Sequence, residues 1–140
     1  MKKTLWILFL VFLPAQTVQA ASIYEFLGIR GLTQVYISVY PPGDRDRPEK
    51  GVMIKDRETL GKIEGFLRQL PSTGDVYKDF GNVRFIKVEL TGSEGTVAVL
   101  SIYGTRLRVP DDSGAGTFYA GPTDVESKFV GLIESLVAGG

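Results

Sequence analysis

The side chains best suited to chemistry in this sequence are carboxylates, and they fall in three loop-like groups: Asp44 with Asp46, Asp75 with Asp79, and Asp111-Asp112 ahead of Ser113-Gly114. The last group could offer oxygen ligands to a hard cation such as calcium. It lacks the spaced acids and closing glutamate of an EF-hand loop. A solvated turn, in which Asp112 or Ser113 bonds local backbone, accounts for the same residues and is the reading adopted. Asp44 and Asp46 alternate with Arg45 and Arg47, the pattern of a self-neutralised surface loop. Asp75 and Asp79 read as solubilising. Two carboxylates can run a small hydrolase, and residues 41–50 and 110–116 are where such a pair would sit. Spacing alone brings no two of them together.

Other chemistries are excluded by residue type. The chain has no His and no Cys. Ser-His-Asp and Cys-His nucleophile systems are therefore impossible, as are zinc sites built from His or Cys. No Walker A pattern, no G-x-G-x-x-G opening a helix and no G-x-S-x-G elbow occurs. No cofactor and no metal is expected, and the chain reads as a non-enzyme.

The elements that must position any site begin after residue 20. Met1-Lys2-Lys3-Thr4 is a basic start, Leu5 to Leu13 is uncharged and almost wholly apolar, and Val18 and Ala20 are small residues before a cut. This is the three-part pattern of a cleaved secretory signal. The apolar run is well short of the roughly 20 residues that span a bilayer. Without a leader cysteine, lipid attachment there is impossible. Residues 1–20 are thus expected to be a signal peptide, and 21–140 a single domain, periplasmic or secreted. Contact with membrane is expected only in passing, through the signal. Without Lys2 and Lys3 the 16 basic residues fall to 14, against 16 acidic, for a formal charge of −2. That balance provides no attraction for nucleic acid.

Within the domain, Ser22 and Glu25 form a capping box for a short helix that Gly28 and Gly31 break. Residues 33–40 alternate, with Val35, Ile37 and Val39 on one side and Tyr36, Ser38 and Tyr40 on the other, as in a half-buried strand. Pro41 to Pro48 must be a loop. Val52-Met53-Ile54 is a candidate second strand. Asp56 is a natural N-cap, and Leu60, Ile63, Leu67 and Leu70 recur at helical spacing until Pro71 stops the helix. Residues 72–82 are polar and loop-like. Residues 83–90 alternate again, 96–103 are nearly all apolar and suggest a central strand covered on most of both faces, and 106–109 place Leu107 and Val109 inward. Thr117 to Ala120 is a candidate edge strand. A closing helix carries the stripe Val125, Phe129, Leu132, Ile133 and Leu136, with Thr123 and Glu126 in a second capping box.

Strands bunched between two one-sided helices predict an α+β fold: a single antiparallel sheet of four to five strands with two helices packed on one face. The strand–helix–four strands–helix order resembles one repeat of the TATA-binding-protein fold. The resemblance is topological, rests on no motif, and implies nothing about DNA. With the helices on one face, the other presents Tyr36, Tyr40, Phe85, Lys87, Arg106 and Arg108. Tyrosine and arginine are favoured in binding hot spots, although such pairs also stabilise a sheet face that meets only water. The functional expectation is an exported non-enzymatic binder of a protein or peptide partner: an inhibitor, an immunity-type factor or an accessory subunit. A carboxylate-dependent hydrolase or a purely structural envelope domain are the alternatives.

Overall fold

The computed structural model describes residues 22–71, 82–109, 117–118 and 123–139. The expected signal peptide, the acids Asp75 and Asp79, and the Asp111-Asp112 cluster lie outside the described residues.

The described elements are α1 (Ile23–Phe26), β1 (Leu32–Tyr40), β2 (Lys50–Ile54), α2 (Arg57–Gln69), β3 (Phe85–Gly92), β4 (Val97–Tyr103), β5 (Arg106–Val109), β6 (Thr117–Phe118) and α3 (Thr123–Gly139). All strand pairs are antiparallel and join one sheet in the order β2-β1-β3-β4-β5-β6, so the fold is α+β as expected. The sixth strand has only two residues. Lys50–Ile54 pairs fully with β1, so two strands, not one, precede the long helix α2.

Local signals explain where the elements start and stop. Ser22 Oγ accepts the Glu25 N–H at 3.2 Å, and Asp56 Oδ2 accepts the Thr59 N–H at 2.9 Å. Both satisfy backbone donors that a helix N-terminus leaves open. Pro71 halts α2 and pairs with Ser22, while the Ile23 N–H bonds the Leu70 carbonyl, so the short helix is tied to the end of the long one. Gly104 (φ +60°) opens the two-residue turn between β4 and β5, where the first turn residue must be left-handed.

The alternation read from the sequence becomes a division of faces. Val35, Ile37 and Val39 of β1, Ile86, Val88 and Leu90 of β3, Leu100 and Ile102 of β4 and Leu107 of β5 are buried under the helices. Leu60, Ile63 and Leu67 of α2 complete this core with Phe129, Ile133 and Val137 of α3, and Phe66 stacks on Phe129 with ring centres 6.0 Å apart. Each fully buried aliphatic side chain contributes roughly 1.5–3 kcal/mol of transfer free energy.

The stripe Val125, Phe129, Leu132, Ile133 and Leu136 of α3 packs on the core as expected, and Glu126, Val130 and Val137 are buried beside it. Strand β4 is central and covered on most of both faces: on its outer side Val97 is 60% exposed, Val99 and Ser101 are half-buried and Tyr103 is 8% exposed.

Candidate sheet-face binding site

The outer face, away from the helices, is ordered in rows by strand register. Met53, Tyr36, Glu89 and Val99 form one row. Gly51, Ser38, Lys87, Ser101 and Arg108 form the next. Tyr40, Phe85, Tyr103 and Arg106 form the third. All six residues singled out from the sequence belong to these rows, and none is fully exposed. Ser38 and Tyr103 are buried there, so this is not a sheet that simply meets water.

The six divide by what they touch. Tyr40 and Phe85 have ring centres 5.4 Å apart, and Phe85 and Tyr103 5.0 Å apart, each pair tilted by more than 40°. Such tilted contacts suit the ring quadrupoles and add roughly 0.5–1.5 kcal/mol per pair to area burial. Arg108 donates from Nη1 to the Tyr103 hydroxyl at 3.1 Å, and its guanidinium lies 5.9 Å from that ring centre. Tyr36 lies one row away, its phenol resting over Gly51, where a Cβ would collide with it. Lys87 pairs with Glu89 on its own strand at 3.1 Å.

Arg106 is used differently. Its Nε donates to Glu126 Oε1 at 2.9 Å, and the same oxygen accepts the Leu107 N–H at 3.2 Å. Antiparallel alternation turns the Leu107 N–H away from β4. Among the described residues the β5–β6 pairs reach Arg108, and beyond them the Glu126 carboxylate takes the Leu107 N–H. Glu126 is 3% exposed. The residue read from sequence as part of a helix cap is therefore the clamp between α3 and the sheet, and Arg106 is committed to it.

Two site residues were not singled out from sequence. Tyr103 was hidden in an apolar run, although its position opposite Phe85 joins it to the aromatic row. Arg45 comes from the 41–49 loop: its guanidinium sits 5.5 Å from the Tyr103 ring centre and 5.9 Å from that of Phe85. The loop is shaped by Asp44, whose Oδ1 accepts the N–H groups of Asp46 and Arg47 at 3.0 and 3.3 Å. That turn aims Arg45 at the sheet, and nothing in the local pattern of alternating charge could have shown it.

An open groove of about 520 Å³ between α2 and the start of β1 is lined in part by Leu32, Lys55, Arg57 and Gly61. Its hydroxyls are spent on backbone: Thr33 donates to the Thr91 carbonyl at 3.1 Å and Ser93 to the Arg30 carbonyl at 2.7 Å. Among the described residues Glu58, Glu64, Glu89, Glu94, Asp124, Glu126 and Glu134 each sit within 4.0 Å of a cation. Hydrogen bonds from Thr59, first its side chain and then its backbone, hold the Asp56 carboxyl below its ordinary value of 3.8. No helix among the described residues is long and apolar enough to cross a membrane.

Comparison of the chain with protein-family models, with curated proteins and with solved structures finds no match.

Proposed function

We propose that the protein is an exported, non-enzymatic module that binds a protein or peptide partner through the Tyr40–Phe85–Tyr103 end of its outer sheet face. One observation carries this reading: a row of three touching aromatic rings, overhung by the guanidinium of an exposed loop arginine. Large rigid rings supply contact area at little entropic cost, and a forked cation beside them supplies direction; these two features recur at interface hot spots. The export part of the proposal rests on the basic, apolar and small-residue sequence of residues 1–20.

Eight acids favour structure over catalysis, since each of the seven named above faces a cation and Asp44 caps its own turn. No observation favours the hydrolase over the binder.

Site-directed photo-cross-linking in the producing cell tests the proposal. A photoreactive side chain in place of Tyr40 is expected to yield a discrete adduct with another protein or peptide. The same group in place of Lys62, on the exposed side of α2, is expected to yield none. Adducts from position 62 alone, or from neither position, would reverse the assignment of this face.

A further inference from the structure

We propose that the partner segment received at this end of the sheet is acidic, with a carboxylate seated on Arg45 and an apolar or aromatic neighbour on the Tyr40 and Phe85 rings. The proposal rests on the binding-face reading above and adds the chemistry of the ligand.

Three cations on or beside the face are matched by carboxylates of the chain. Lys87 has Glu89 at 3.1 Å, and Arg106 has Glu126 at 2.9 Å. Arg84, behind the β4–β5 turn, has Glu134 at 2.8 Å. Arg45 has no carboxylate within 4.0 Å among the described residues. Its nearest acid in sequence, Asp44, is turned inward to accept two N–H groups of its own loop. Asp44 therefore builds the turn and does not neutralise its neighbour.

The rings hold Arg45 in a useful way. A guanidinium resting on aromatic faces keeps the N–H groups around its edge for hydrogen bonding, and that edge matches the two oxygens of a carboxylate. Holding the side chain in place beforehand removes part of the entropic cost of binding. Tyr40 and Phe85 are half-buried, so they retain ring surface for a side chain beside the acid. Charge and shape at this end thus complement an acidic peptide and oppose a basic one.

Selection of phage-displayed random linear peptides on the purified protein, followed by binding measurements on synthetic copies, provides the test. The proposal expects enriched sequences to carry Asp or Glu beside an apolar residue. It expects affinity to fall by about tenfold in Arg45→Ala, the size of one lost charge-assisted contact. Arg45→Lys should restore only part of that loss, because the fork is missing, and rising salt should weaken binding. Arg45 is exposed, so these variants leave the fold intact. Tyr40→Ala, checked by thermal unfolding, locates the binding independently of charge. Neutral or basic peptides that lose affinity in Tyr40→Ala would overturn the acidic proposal and leave the face assignment standing. Peptides indifferent to both Arg45→Ala and Tyr40→Ala, or no enrichment, would overturn both.

Discussion

Among the described residues arginine stacks on tyrosine in two places, and the two stacks differ in whether the charge is answered. At the junction of α1 and α2 the Arg68 guanidinium lies 4.2 Å from the Tyr24 ring centre. Glu64, one turn back on α2, pairs with Arg68 at 3.3 Å, and the Tyr24 hydroxyl accepts the Gly31 N–H at 3.0 Å. Every partner in that stack belongs to the chain, so the stack pins α1 and the following turn to α2. On the sheet face Arg45 rests on Phe85 and Tyr103 without an acid among the described residues. The same contact thus serves cohesion where the charge is matched internally, and in the proposed reading serves recognition where it is not.

The largest effect that sharpens this contrast is expected at Glu126, which is buried and holds two donors of β5 on one carboxylate oxygen. Glu126→Ala strands the Leu107 N–H and part of Arg106, and should lower stability by about 3 kcal/mol. Urea unfolding measures it; a loss below about 1 kcal/mol would show that the clamp is incidental. Arg68→Ala should cost about 1 kcal/mol or less, because the side chain is largely exposed and both its contacts are of the weak surface kind. Faster amide exchange at Gly31 would accompany that loss if the stack secures the turn.

A smaller effect is expected at Asp56, another charge matched within the chain. Its folded carboxyl is depressed by Thr59, so the cap stabilises the protein at pH above the ordinary value of 3.8. Protonation removes that contribution as pH falls through the lowered folded value. The stability difference between the protein and Asp56→Ala should therefore shrink on acidification, and a difference constant down to the lowest pH would contradict the capping role. The smallest effect on stability belongs to Arg45→Ala, within about 0.5 kcal/mol, as for other exposed positions. A larger loss would make the Arg45 stack structural, like that of Arg68, and erase the distinction between the two.

Much of the framework was legible without coordinates. Period-two alternation separated Val35, Ile37 and Val39 from Tyr36, Ser38 and Tyr40, because successive side chains of a strand must point to opposite faces. Asp56 and Pro71 bracketed α2 because a helix needs an acceptor at its start and cannot proceed past a proline that lacks an N–H. Six outer-face residues were identifiable on the same grounds. Their grouping was not. Alternation assigns a face but not a register, so it could not place Phe85 between Tyr40 and Tyr103.

Local sequence therefore determined the elements, the division of apolar from polar faces, and the residue types available to a site. Tertiary structure alone decided that Glu126 meets the β5 edge, that Arg106 joins it there, and that Arg45 swings from its loop onto the aromatic row. The physical reason is range. Caps and alternation act over a few residues, where bond geometry dictates which atoms meet. A carboxylate on α3 and an arginine on a loop find their partners only after the sheet has brought distant segments together, and there competition among possible partners, not spacing, selects the contact.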